Sequence, residues 1–188
     1  MIKNNNISFI NDYLNNLSTL SKDLDVDSLI KICKTIIKTA NSKGTVIIVG
    51  NGGSSSISSH VAVDFLKAVG IRAMTFNESS LITCYANDYG YENWVKEALK
   101  SYVQINDTII LISSSGESPN IINAAKYVKS KNLNLVTFSG FNMSNSLSTL
   151  GDFNIWVNSK NYNYVEILHN QFLLVLVDLV KLNLKSNL

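Results

Sequence analysis

Apolar residues return every three or four positions through the first forty residues: Ile7, Ile10, Tyr13, Leu14 and Leu17, then Leu29, Ile30, Ile32, Cys33, Ile36 and Ile37. That spacing lines one side of a helix, so this segment is predicted to be helical. The second helix is expected from Asp27 to about Ala40, with Asp27 or Ser28 as its cap and Ser42-Lys43-Gly44 as its stop. The pattern then changes to short apolar runs at 45–49, 71–76, 108–112, 133–138 and 153–157. The runs 45–49 and 108–112 are apolar almost without interruption, as strands covered on both faces are. Helix-compatible stretches lie between them at 54–68, 92–103 and 119–130, the last opening on the lone proline, Pro119, where a missing N–H costs little. Strands alternating with helices predict an α/β fold: a doubly wound, mostly parallel five-stranded sheet flanked by helices. A long C-terminal helix is expected over 164–184. It is apolar on nearly every side from Phe172 to Val177, which places it centrally or at an oligomer interface. The chain divides into an N-terminal helical segment (1–40), an α/β core (45–160) and this last helix, within a single domain over 1–188.

Composition narrows the picture. Of 188 residues, 46% are hydrophobic and only 16% charged. So little charge suggests a surface partly covered by self-association. The net charge of +2, from 16 basic and 14 acidic residues, is too small and dispersed for a dedicated nucleic-acid binder. Cys33 and Cys84 have no metal-ligand spacing and are expected to be buried free thiols. No apolar leader core follows Met1, and no apolar run approaches membrane-spanning length. A cytoplasmic protein with no membrane partner is the expectation. Asn, Ile and Lys are abundant throughout, so single asparagines carry little functional signal.

Two loops directly follow predicted strands, and ligands of open parallel sheets bind beyond the C-terminal strand ends. The first is Gly50-Asn51-Gly52-Gly53-Ser54-Ser55-Ser56. The second is Ser113-Ser114-Ser115-Gly116-Glu117-Ser118-Pro119-Asn120. In the second, four hydroxyls (Ser113, Ser114, Ser115 and Ser118) can donate hydrogen bonds. Gly116 permits close approach or a positive φ, and the following helix offers free N–H groups and the positive end of its dipole. This is the chemistry of a phosphate cradle built from neutral donors. It lacks the lysine of a G-x-x-x-x-G-K-S/T loop. The first loop can set backbone N–H groups and the Asn51 amide against sugar hydroxyls. A dinucleotide fingerprint fails there, because Ser55 stands at the third glycine position. Tyr89 and Tyr91 are expected to border the pocket, Lys67 and Lys160 to be the nearest cations, and Trp94, Trp156, Tyr162 and Tyr164 to be core or interface aromatics.

Gly50 to Ser54, His60, Asn87-Asp88-Tyr89-Gly90 and Ser113 to Asn120 together resemble the sugar isomerase (SIS) family, in its phosphoheptose isomerase (sedoheptulose 7-phosphate isomerase) branch. The resemblance runs from about residue 40 into the C-terminal helix. It implies that Asn51, Gly52 and Gly53 contact the sugar, that Asn87 and Asp88 lie close to it, and that Ser113, Ser114, Ser115 and Ser118 hold the phosphate. It implies homotetramers with sites at subunit interfaces. It also implies conversion of a ketose phosphate to an aldose phosphate through an enediol, with no nucleotide cofactor.

The family places a His and a Glu four residues apart after the glycine loop, and a Gln and a His eight apart on the C-terminal helix. These can bind a divalent metal, usually zinc. Here the first pair is His60 and Asp64. The second is Glu166 with Leu174, or one register away Val165 with Leu173. Either register puts leucine in place of the His. His169, three residues from Glu166, is the nearest substitute. His60, Asp64, Glu166 and His169 are therefore the expected zinc ligands, with His60, Asp64 and His169 catalytic and Glu166 also touching substrate. The alternative is a non-catalytic SIS module that binds a sugar phosphate or a protein.

Overall fold

In the computed structural model, residues 2–185 are described, with side chains for 5–184. The ends of the expected domain, residues 1 and 186–188, lie outside the described residues. Helices α1 (Ile2–Lys22) and α2 (Val26–Asn41) come first. Then follow β1 (Val46–Gly50), α3 (Gly53–Asp64) running on through a π-helical turn (Phe65–Val69), β2 (Ala73–Met74), α4 (Ser79–Tyr89) and α5 (Trp94–Tyr102). The chain ends with β3 (Thr108–Ser113), α6 (Pro119–Ser130), β4 (Asn134–Ser139), β5 (Phe153–Trp156) and α7 (Tyr162–Lys185).

The five strands form one sheet in the order β2-β1-β3-β4-β5. Every pairing is parallel. Strand side chains alternate between two cores. Val46, Ile48, Ile110, Ile112, Val136 and Phe138 face α2, α3 and α7. Ile47, Val49, Ile109, Leu111 and Leu135 face α5 and α6. Burial on both faces is why β1 and β3 are continuous apolar runs in the sequence. Gly50 pairs with Ile112, so the loops after β1 and β3 leave the sheet side by side. The chain winds outward to β2 and then crosses to β3. The β1/β3 junction is thus the point where strand order reverses, where ligands of such sheets bind.

Several local expectations change. The cap of α2 is Asp25, whose carboxylate accepts from Ser28 N at 3.0 Å and Ser28 Oγ at 2.7 Å. Those bonds hold its carboxyl below the usual range. Asp27 and Ser28 instead lie inside the first turn. Helix α4 has no sequence counterpart among the expected elements. It buries no residue fully; its apolar stripe, Leu81, Ile82, Tyr85 and Ala86, is only partly buried against the core, and Cys84 on it is exposed while Cys33 is buried. No helix among the described residues is long and apolar enough to cross a membrane.

Helix α7 packs on α2 and α3. Val165, Leu168, Phe172, Leu173, Leu176, Val177 and Val180 are its buried stripe. His169 belongs to that stripe and is fully buried. Its Nε2 lies 3.1 Å from the Ser139 carbonyl oxygen, to which it donates, and its ring stands edge-on to Phe138 at 5.7 Å. Nδ1 has no partner. Loss of solvation pulls the imidazole pKa from 6.5 down to about 4, against the opposing pull of the Ser139 bond. His169 is a neutral core residue, and the expected placement beside Glu166 as ligand and catalyst is corrected. Three positions along a helix amount to about 300°, close to one face, but α7 is buried so broadly that its core edge begins within that angle.

The sign of the resulting pH dependence is fixed. Between pH 6.5 and about 4 the unfolded chain carries a proton on His169 that the folded chain does not, so stability falls as pH is lowered through that window. The full difference is about 3 kcal/mol. Denaturation at pH 7 and pH 4 should show wild type losing about that much more stability than His169→Leu. Equal losses would place the ring in water.

Candidate active site

Two loops meet at the β1/β3 junction, and a reciprocal amide pair fastens them. Asn51 Nδ2 donates to Asn120 Oδ1 at 2.9 Å, and Asn120 Nδ2 donates to Asn51 Oδ1 at 2.8 Å. Tyr91 Oη also donates to Asn51 Oδ1, at 3.3 Å. Asn120 is 2% exposed, so the two amide–amide bonds are expensive to leave unmade. Asn51 lines the pocket as expected, yet both lone pairs of its amide oxygen are occupied. It offers a ligand one N–H at most. Asn120 and its role were missed. The pair spans 69 residues of sequence, and no local pattern announces it.

The serine loop encloses a pocket of 110 Å³ lined by Asn51, Ser54, Ser113, Ser114, Ser115, Ser118, Tyr162 and Glu166 together with Ile112. All four predicted serines converge there. Ser113 Oγ and Ser118 Oγ lie 3.0 Å apart, sharing one hydrogen and leaving the other to donate. Ser114 Oγ is buried and has no partner among the described residues. Ser115 Oγ accepts from Glu117 N at 3.2 Å, which shapes the turn. Ser118 is the N-cap residue of α6, with Pro119 after it, so the positive end of α6 opens into the cradle. No lysine or arginine lines it, and neither Lys67 nor Lys160 reaches it. Tyr162, expected in the core or an interface, is an exposed wall of this pocket.

A buttress fixes the loop from behind. Gly116 has φ +70°, and a Cβ there would meet Asn145 Oδ1 at 2.0 Å, so only glycine fits. Asn145 is 2% exposed. Its Nδ2 donates to the Asn142 carbonyl at 2.7 Å and to Ser139 Oγ at 3.1 Å. Glu117 accepts from Ser146 N at 2.8 Å and Ser146 Oγ at 2.7 Å. The Ser146 hydroxyl, then its amide, holds the Glu117 carboxyl below the usual range, and the charge is drawn away from the cradle.

Beside the cradle lies an open groove of 330 Å³, lined by Gly53, Ser56, Ile57, His60, Glu166, Ile167 and Asn170. Its size is at the lower end of small-molecule sites, roughly 300–1,000 Å³. Glu166 lines both cavities. A Cβ on Gly53 would lie 2.3 Å from Glu166 Oε2, so the carboxylate rests against the bare backbone at the start of α3. Gly52 is the N-cap of that helix. Of the two possible registers on α7, Glu166 faces the site. Val165 and Leu173 are in the core, and Leu174 is partly buried against it.

Not every expected residue arrives. His60 Nε2 contacts Asp64 Oδ2 at 3.3 Å, but Asp64 sits one turn beyond and lines neither cavity. Asn87 and Asp88 occupy the last turn of α4, exposed and bonded to each other at 2.9 Å, also outside both cavities. With His169 in the core, the four expected zinc ligands are not brought together. No cluster of three or more His, Cys, Asp or Glu with ligand geometry occurs among the described residues. That donor set does not fit a resident zinc.

The family model for the SIS domain matches residues 8–140. A phosphoheptose isomerase from Helicobacter pylori (strain ATCC 700392 / 26695) is 30% identical over 179 residues, covering 90% of this chain and 92% of the relative. One from Thermodesulfovibrio yellowstonii is 34% identical over 119 residues, covering 60% of this chain and 59% of that protein. Among solved structures, phosphoheptose isomerase from Neisseria gonorrhoeae superposes with a TM-score of 0.86 over 96% of this chain and 99% of its own. At 17% identity it speaks for the fold alone. With the family model spanning most of the chain and the Helicobacter relative aligned along nearly all of it, the chain belongs to the SIS domain family, in its phosphoheptose isomerase branch.

Proposed function

We propose that this chain is a phosphosugar isomerase that converts sedoheptulose 7-phosphate, or a related ketose phosphate, to the aldose phosphate in heptose biosynthesis. The observation that carries the reading is the Ser114 hydroxyl, buried at the serine cradle with no hydrogen-bond partner among the described residues. A buried donor left unmade costs about 1–3 kcal/mol, and an anionic oxygen in the cradle would remove that cost. The open groove next to it supplies room for the sugar. The same reading takes the protein as a cytoplasmic homotetramer. Self-association is supported by the exposed apolar face of α1, where Ile7, Phe9, Ile10 and Leu14 are each more than half exposed.

A second reading, an SIS module that binds a sugar phosphate without turning it over, is favoured by one observation. His169 is locked in the core, so the C-terminal helix brings no imidazole to the site. Incubation with sedoheptulose 7-phosphate, followed by NMR for aldose, separates the two. Aldose formation well above background is expected. Binding without turnover would leave the module reading alone.

Ser114→Ala should move two quantities in opposite directions. The free protein should gain up to about 1 kcal/mol of stability, because an unsatisfied buried hydroxyl is removed. Affinity for the sugar phosphate should fall about tenfold, the loss of one charge-assisted hydrogen bond of roughly 1.5 kcal/mol. Calorimetry reads both. Unchanged affinity would remove the cradle from recognition.

A further inference from the structure

We infer that Glu166 is the carboxylate that carries the proton between the two reacting carbons of the sugar, an assignment that rests on the isomerase reading above. Isomerisation through an enediol needs a base that takes a proton from one carbon and returns it to its neighbour. The carboxylates around the C-terminal ends of the strands are mostly committed elsewhere. Glu78 caps α4 by accepting from Leu81 N at 2.9 Å. Asp88 accepts from Asn87, and Glu117 is held by Ser146. Asp64 pairs with His60 and lines no cavity. Glu166 has no hydrogen-bond or ion-pair partner among the described residues, and it alone of these carboxylates lines both the phosphate cradle and the groove.

Its surroundings suit the task. Tyr162, Glu166 and Asn170 stand at i, i+4 and i+8 on α7, a polar line that passes from the cradle to the groove. That line is about 12 Å long at about 1.5 Å per residue, the scale of an extended sugar phosphate. Asn170, which lines the groove, has its Oδ1 buried without a partner among the described residues. Val165, buried beside Glu166, lies where a Cβ on Gly140 would come within 2.7 Å of it, so the helix is seated closely on β4's end. The carboxylate is aimed by a rigid element, as a proton-transferring group must be.

The step balances without any other reagent. The C1–H bond of the ketose breaks and its proton goes to the Glu166 carboxylate. The electron pair forms C1=C2, and the C2 carbonyl pair moves onto O2. His60, on the facing helix, takes the O1 proton at Nδ1, the nitrogen not bonded to Asp64, and passes a proton to O2. C1=O forms, and Glu166 returns its proton to C2. Enzyme and proton count end as they began.

The test is turnover of sedoheptulose 7-phosphate in D2O by wild type, Glu166→Gln, Glu166→Asp and Asp64→Asn, with sugar-phosphate affinity measured for each. Wild type should place deuterium at C2 of the aldose and at C1 of recovered ketose. Glu166→Gln should lose at least about a hundredfold in kcat and all deuterium exchange, while its Kd stays within about threefold. Glu166→Asp, which keeps the carboxylate, should recover part of the rate, and Asp64→Asn should retain exchange. Wild-type turnover with an unimpaired Glu166→Gln overturns the assignment alone. A Glu166→Gln loss that appears wholly in Kd does so too. Wild type with neither turnover nor exchange overturns the isomerase reading and the assignment with it.

Discussion

A sheet buried on both faces leaves few places for polar chemistry, and that constraint organises the molecule. The strands β1 and β3 carry aliphatic side chains into both cores. Ligand-binding groups can stand only at the strand ends. The reversal of strand order between β1 and β3 parts the flanking helices there and opens a crevice. Both loops that hold functional residues begin at that opening, one after Gly50 and the other after Ser113.

The crevice would be only a gap without the bonds that cross it. The Asn51–Asn120 pair ties one loop to the other. Asn145 and Ser146 then press on the serine loop from the far side, through Gly116 and Glu117. The loop is therefore positioned before any ligand arrives, which reduces the ordering cost of binding. One consequence is that Ser114, which lines the pocket, keeps its Oγ buried without a partner among the described residues. A stiff frame can hold such a group, whereas a soft loop would turn it toward water.

Much of this was legible in the sequence because it depends on local pattern. Five apolar runs and their intervening helical stretches gave the sheet, and serine and glycine directly after strands gave the cradle. What depended on long-range pairing was not legible. Asn120 looked like one of many asparagines, and its partner lies across the β1/β3 boundary. Tyr162 reads in the sequence as a core or interface aromatic, and only the placement of α7 shows it as a wall of the cradle. Helix α4 escaped because its apolar stripe, Leu81, Ile82, Tyr85 and Ala86, is short and only partly buried.

His169 and Glu166 show why a spacing rule reaches its limit on a helix like α7. Residues at i and i+3 share a face when one side of the helix meets water and the other meets the core. Helix α7 instead divides its circumference unevenly, with Val165, Leu168, His169, Phe172 and Leu173 all in the core. A narrow polar line through Tyr162, Glu166 and Asn170 is left for the site. The edge of the core falls between Glu166 and His169. The imidazole is therefore desolvated and neutral, while the carboxylate keeps contact with the cavity. Two groups that a sequence pairs as ligands are separated by the boundary between core and crevice, and their chemistry divides there too. One bonds a backbone carbonyl in the core, and the other lines both the cradle and the groove.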